Sequence, residues 1–327
     1  MKILAVDDDP IILELLTEVL RAAGFTNLSV CSSASKALDL LDHTDVPFDC
    51  FLLDIQMPEM DGIQLTSAIR KRPPYTKTPI LMITAMSDRT YIDGAFAAGA
   101  SDYITKPFEI GEVHARLRLI EELVVKRKQQ EDRNPVSVPR ASTSMVGPED
   151  LAKRLTPVDV DGVIDYVALE NYLLQVSRVS LFGMQAFGIV VPDMGRTFLS
   201  SSLYEYESTV SDLAEAISES LKPRDFFVAH AGAGEFIVVL KEGGALDPAE
   251  YEIHLRSTLN AMDLHFCDGR PVSLRPVVGH ARSLQMKPSR GITNTLVHAL
   301  SDAEKTAERP RDDLSSNTSS WKRLLGW

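Results

Sequence analysis

The chain has 327 residues, 44% of them apolar and 24% charged, and a formal net charge of −12. That length allows two domains with separate cores, and the acidic balance argues against a general nucleic-acid or anionic-membrane surface, which needs clustered positive charge. No apolar run reaches the ~18 residues of a membrane span, the opening MKILAVDDDP turns acidic too early for a signal peptide, and Cys31, Cys50 and Cys267 have neither disulfide nor metal-ligand spacing, so a cytoplasmic protein without membrane insertion is expected.

Taken in chain order, KILAV is followed by a helical pattern from Pro10 to Ala23, NLSVC by a helix from Ser33 to Leu41, and CFLLD by a helix from Gly62 to Lys71. PILMIT precedes a helix from Arg89 to Ala98, and DYIT precedes a last helix beginning near Ile110. These are five β–α units whose continuous apolar strands predict burial on both faces, hence a doubly wound parallel sheet over residues 1–122. In the last helix, Ile110, Val113, Leu117, Ile120 and Val124 form a short heptad-like seam that predicts packing on the sheet. Residues 123–154 read as a helix extension and then a polar linker with three prolines.

Residues 155–309 predict helices over Tyr166–Val176, Leu203–Leu221, Tyr251–Met262 and Thr293–Ala307. Strands are expected at FGIVV, at the two arms of FFVAHAGAGEFIVVL, and over VSLRPVVGHA. The order α-β-α-β-β-α-β-α predicts an α+β sandwich with a mostly antiparallel sheet. Residues 310–327 form a polar tail that ends apolar and basic and holds Trp321 and Trp327, and it is expected to be flexible.

In a doubly wound sheet, ligands sit at the carboxyl ends of the strands. Asp7, Asp8 and Asp9 follow the first strand, Asp54 ends FLLD, Thr84 ends LMIT, and Lys106 follows DYIT. Any one acid after a strand is commonly a helix cap. Together, clustered carboxylates raise one another's pKa and suit Mg²⁺, and a carboxylate beside a metal and a lysine can attack phosphorus.

The stretches ILAVDDDP, FDCFLLDIQMPEMDGIQL, PILMITAMSD and AGASDYITKPF resemble the receiver domain of two-component response regulators across the whole first half. The resemblance implies that Asp54 accepts a phosphoryl group from a sensor histidine kinase or phosphotransfer protein. It implies that Asp7, Asp8, Asp54 and the backbone carbonyl of Gln56 hold Mg²⁺. Lys106 would neutralise phosphoryl charge, Thr84 would donate its hydroxyl, Tyr103 would switch rotamer with Thr84, and the Lys106–Pro107 bond would be cis. Phosphorylation would repack the face of the last helices and favour a homodimer.

The second half resembles a GGDEF domain, the diguanylate cyclase fold, through VDGVIDYVALENYL, GAGEFIVVL, VVGHA and LVHALSDAEKTA. The signature is degenerate: Gly232, Ala233, Gly234, Glu235 and Phe236 keep a turn but place glycine where the resemblance implies a metal-binding carboxylate. Glu235 points to the opposite face of a strand from that position. Asp193 misses the other carboxylate position by one residue, beside Pro192. Glu207 is the one acid near the guanine-reading segment, whose other position falls on Phe198. The product-inhibition pair falls on Lys222 and Asp225, and an aspartate of the last helix on Leu300.

The expectation is therefore a response regulator with no enzymatic activity beyond receiver autodephosphorylation, signalling through the GGDEF-like domain by dimerisation or a downstream protein partner. The alternatives are a GTP or cyclic di-GMP receptor without turnover and, last, an active diguanylate cyclase. No helix-turn-helix follows the linker, so DNA is not an expected partner.

Overall fold

A computed structural model describes residues 1–85, 89–133, 147–176, 180–242, 246–284 and 289–308, and the chain divides into two units, Met1–Ala141 and Ser142–Trp327. The first unit runs β1 (Ile3–Val6), α1 (Pro10–Ala22), β2 (Leu28–Cys31), α2 (Ala34–Asp42), β3 (Cys50–Asp54) and α3 (Gly62–Arg70). It continues with β4 (Ile80–Thr84), α4 (Arg89–Ala97), β5 (Asp102–Thr105) and α5 (Ile110–Arg133). The five strands form one sheet in the order β2-β1-β3-β4-β5, every pairing parallel. β1, β3 and β4 are buried along their whole length, which is why they read as unbroken apolar runs rather than alternating ones.

One face of this sheet packs on α1 and α5 through Leu13, Leu16, Leu20, Val113, Leu117 and Ile120. Val124 also joins that core. Ile110, expected in the same seam, is 60% exposed and stays outside the core. Helix α5 is 24 residues long and runs past Val124 to Arg133. Its extension is tied down by Lys128, whose Nζ lies 2.7 Å from Asp49 Oδ1, while Asp49 Oδ2 accepts from the Lys2 backbone N–H at 2.7 Å.

The second unit runs α6 (Pro148–Leu151), α7 (Tyr166–Gln175), β6 (Gln185–Val190), α8 (Met194–Leu199), α9 (Leu203–Leu221), β7 (Phe226–Gly232) and β8 (Glu235–Leu240). It ends with α10 (Pro248–Ala261), β9 (Val277–Val278), β10 (Arg282–Ser283) and α11 (Ser289–Glu308). β8 lies between β6 and β7, and β9 and β10 pair with the other edge of β6, all antiparallel. Taking β9 and β10 as one interrupted strand, this is the β-α-β-β-α-β arrangement. One face packs on α9 and α10 through Phe187, Ile189, Phe236, Val210, Leu213 and Leu255.

Three expectations are corrected. The strand over residues 272–281 shrinks to Val277–Val278, with a second short piece at Arg282–Ser283; Pro276 has no donor for a ladder. Helix α10 begins at Pro248, ahead of Tyr251, because Asp247 caps it by accepting from Ala249 N at 2.9 Å. Helix α8 was not expected at all: past Pro192, the Asp193 carbonyl accepts from Arg196 N at 3.0 Å and Thr197 N at 3.1 Å and starts a helical turn. In the stretch 123–154, α5 extends to Arg133, Val124 joins the first core and Leu151 joins the second. The expected tail, 310–327, lies outside the described residues.

Helix α11 lies directly on the backbone of β6. A Cβ on Gly188 would stand 2.6 Å from the Ala299 carbonyl oxygen and 2.8 Å from Leu300 Cα. Gly188→Val should therefore destabilise the second unit by about 1–3 kcal/mol, the usual cost of overpacking, read as a lower denaturant midpoint with an unchanged m-value.

Candidate functional site

The register of the parallel sheet brings the ends of β1, β3, β4 and β5 together. Asp7 and Asp54 are buried at 1% and 4% exposure, and Asp8 is exposed at the rim. One carboxylate oxygen from each of Asp7, Asp8 and Asp54 falls within 4.8 Å of the others. Lys106 bridges two of them: its Nζ donates to Asp7 Oδ2 at 2.7 Å and to Asp54 Oδ1 at 2.9 Å. That leaves Asp54 Oδ2 not engaged by the lysine.

Local structure holds each group in place. Asp9 is not part of the cluster. It caps α1, accepting from Ile11 N at 2.8 Å, and its own N–H donates to Asp7 Oδ1 at 3.0 Å, which orients that carboxylate. The Lys106 N–H donates to the Thr84 carbonyl at 2.6 Å, tying β5's exit to β4's end, and the Lys106–Pro107 peptide is cis, as expected. Thr84 is fully buried; Tyr103 is 7% exposed, with its ring edge-on to Phe96 at 6.1 Å. Gln56 lines an open depression of about 540 Å³ beside the acids, with Asp8, Met57, Pro58, Asp61 and Tyr91.

Gly62 was not singled out from the sequence, although it stands in the quoted stretch PEMDGIQL. Its N–H donates to the Ile55 carbonyl at 2.9 Å, and a Cβ there would stand 2.0 Å from the Asp54 carbonyl oxygen. Only glycine lets α3, capped by the Asp61–Gln64 box, start directly against the strand that carries Asp54.

The electrostatics are those of a crowded, partly dry acid cluster. Burial pushes the Asp54 carboxyl above the ordinary carboxylate range; Lys106 opposes this, and the charges of Asp7 and Asp8 add to it. Burial alone would lower the Lys106 pKa, but its bonds to Asp7 and Asp54 carry it above the ordinary lysine value. Hard oxygen donors in such number and at such spacing fit a small divalent cation such as Mg²⁺.

In the second unit the predicted acids are engaged with separate partners or exposed. Glu207 is exposed on α9. Asp193 precedes α8 and lies 3.5 Å from Arg196. Lys222 pairs with Glu219 and Asp161, while Asp225 pairs with Lys241, so the two do not form a joint anion site. Glu235 pairs in register with Val190 at the start of β8. Gly234 has φ +78°, its carbonyl accepts from Val191 N at 3.0 Å, and a Cβ there would stand 2.5 Å from Met194 Cβ. Met194 is fully buried and occupies the space a side chain at 234 would need.

His230 was also not flagged by the sequence. It is 1% exposed, its Nδ1 accepts from Leu155 N at 3.0 Å, and Nε2 has no hydrogen-bond partner among the described residues. Burial, with Arg154 adding to it, pulls its pKa from 6.5 down to about 4. The unfolded chain therefore takes up this proton first, and stability falls as pH drops from the unfolded value toward 4. The expected loss is about 3 kcal/mol by pH 4, at ~1.4 kcal/mol per pKa unit. His230→Asn keeps an acceptor and should flatten that slope in calorimetric scans across this range.

Residues 3–118 match the family described as the response regulator receiver domain. The transcriptional regulatory protein CpxR of Escherichia coli K12 is 40% identical over 119 residues, 36% of this chain and 48% of CpxR. The signal transduction histidine-protein kinase BarA of the same organism is 35% identical over 114 residues, 35% of this chain and 12% of BarA. Among solved structures, the chemotaxis protein CheY4 of Vibrio cholerae is 29% identical over 36% of this chain and 97% of that chain, with a TM-score of 0.34. The chain thus spans about half of CpxR and a small part of BarA, and these matches fall on the receiver portion.

Proposed function

Residues 3–118 are a response regulator receiver domain, and from that premise we propose that the chain is a cytoplasmic two-component response regulator that takes up a phosphoryl group on Asp54. The observation that carries this is the Lys106 ammonium held between Asp7 and Asp54 at 2.7 and 2.9 Å. The donor is a phosphohistidine on a sensor kinase or phosphotransfer protein. Asp54 Oδ2 attacks phosphorus, the P–N bond breaks, and the leaving imidazole keeps the bonding electron pair and picks up a proton. Lys106 transfers its contact from the carboxylates to the new phosphoryl oxygens, and the Thr84 hydroxyl and Tyr103 ring follow. Asp7, Asp8, Asp54 and the Gln56 carbonyl would hold Mg²⁺, which would supply charge neutralisation at the transferring phosphoryl group.

For output, the second unit is read as a GGDEF-like domain that has lost its reaction and works by homodimerisation or by holding a downstream protein partner. Its β-α-β-β-α-β order supports the fold reading, and Met194 packed where a side chain at Gly234 would go supports the loss of chemistry. The experiment is phosphorylation of the full chain with a small-molecule phosphoryl donor and Mg²⁺, with sedimentation in beryllofluoride and a GTP turnover assay alongside. Acid-labile phosphate on Asp54, greater self-association and no nucleotide product are expected. Failure to take up phosphate would reject the receiver role; an unchanged sedimentation state would reject the dimer; product from GTP would reject the inactive output domain.

A further inference from the structure

The GAGEF hairpin of the second unit is covered by the chain's own approach segment. The Leu151 carbonyl accepts from Ala233 N at 2.8 Å and from the Tyr206 hydroxyl at 3.3 Å. Leu155 N donates to His230 Nδ1 at 3.0 Å. The Leu151 side chain, 5% exposed, sits in the core formed with β8 and α9. Gly232, at φ +105°, is what lets this segment lie flush: a Cβ there would stand 2.5 Å from the Ala152 carbonyl oxygen. Arg154 adds a side contact, its guanidinium carbon 3.9 Å from the Tyr166 ring centroid.

These contacts differ in kind from those of the sheet. The hairpin arms are joined by a ladder of backbone bonds from Phe226–Leu240 through His230–Phe236, whereas residues 147–155 hold on by a few isolated bonds, the buried Leu151 and the half-buried Leu155. Segments with few buried apolar contacts open well below the global unfolding free energy. In sequence, this segment follows α5 of the receiver by way of residues 134–146.

We infer that residues 147–155 are a strap, and that its release from the GAGEF hairpin is the step by which the state of Asp54 reaches the second unit. The inference rests on the receiver reading above. Docked, the strap satisfies Ala233 N, His230 Nδ1 and the Tyr206 hydroxyl. Released, it bares those groups and the apolar seat of Leu151 to an extended segment of a protein partner with a carbonyl and an aliphatic side chain to offer. A hairpin whose metal-binding position is glycine thus becomes the receptor for a peptide.

The test is hydrogen exchange on the full chain with Mg²⁺, with and without beryllofluoride. Three regions are followed: the hairpin amides around Ala233 with Leu155, the sheet amides of Val238 and Val239, and receiver amides around Tyr103. Activation should speed exchange at Ala233 and Leu155 by about tenfold, as expected for a local opening, while Val238 and Val239 stay slow. Leu151→Ala should give the fast hairpin pattern without activation. A receiver that responds over an unchanged hairpin overturns the strap and leaves the receiver reading standing. A receiver that does not respond overturns both. Slow exchange at Ala233 in Leu151→Ala also overturns it, and the wild-type comparison decides the matter should that variant fail to fold, which fast exchange at Val238 would reveal.

Discussion

Asp54→Asn should take up no phosphoryl group from a small-molecule donor or from a phosphorylated kinase, a complete loss rather than a slowing. The amide oxygen is a weak nucleophile, and Asp7 is held by partners other than Asp54, the Asp9 N–H and the Lys106 ammonium. The same variant should gain stability without metal. Burial raises the Asp54 pKa, so the folded state binds this proton more tightly than the unfolded chain. Stability contributed by the protonated form is therefore lost as pH rises from the unfolded carboxylate value through the raised one. Asn carries no such cost, and its melting temperature at neutral pH should exceed that of the wild type in chelator. Mg²⁺ should narrow the gap by stabilising the wild type more, because the variant lacks one of the three carboxylates that would hold it. Equal melting temperatures with and without Mg²⁺ in the wild type would reject the metal assignment.

On the proposed GGDEF-like reading, Gly234→Asp is the substitution that would restore the acid of the signature, and it should yield neither activity nor a sound fold. The backbone at 234 has φ +78°, which costs a non-glycine residue roughly 1–2 kcal/mol. The new Cβ would stand 2.5 Å from Met194 Cβ, a buried neighbour on the short helix α8 that can yield only by moving that helix. Overpacking of this kind adds about 1–3 kcal/mol. A lower denaturant midpoint and no product from GTP and Mg²⁺ are expected. Relieving the contact as well, in Gly234→Asp with Met194→Gly, which removes both the Cβ and the Cγ that the new side chain would meet, should recover part of the stability but no product, since Asp193 lies against Arg196 and Glu207 is exposed. Product from either variant would overturn the view that the loop has been remodelled beyond a single lost carboxylate.

What could be read from the sequence divides along physical lines. Unbroken apolar runs ending in Asp7, Asp54, Thr84 and Lys106 carried the parallel sheet and its acidic pocket, because burial on both faces leaves no polar residue to confuse the pattern. Asp9 looked like its neighbours, and only geometry makes it a cap that orients Asp7. Helix α8 escaped notice because Pro192 masks the start of a helix held by the Asp193 carbonyl, and with it went the reason Gly234 must be glycine. The strap escaped for a related reason: Leu151 and Leu155 use backbone groups to grip the hairpin, and backbone groups leave no signature in residue type. His230 read as an ordinary strand residue, since nothing in FFVAHAG says that it would be shut away from water.

The pair formed by Lys128 and Asp49 has a mechanical consequence. Asp49 stands at the entrance of β3, the end remote from Asp54, and is itself fastened to the start of β1 through Lys2. Helix α5 is thus held at two levels, by Val113, Leu117, Ile120 and Val124 in the core and by Lys128 beyond it, and an off-axis ion pair at the second level opposes rotation as well as tilt. Over the nine residues from Val124 to Arg133, a rise of ~1.5 Å per residue gives a shaft about 13 Å long. The part of α5 beyond Val124 is therefore fastened at the end of the sheet opposite the acid cluster, so the ion pair and the acidic site grip the same strand, β3, from its two ends.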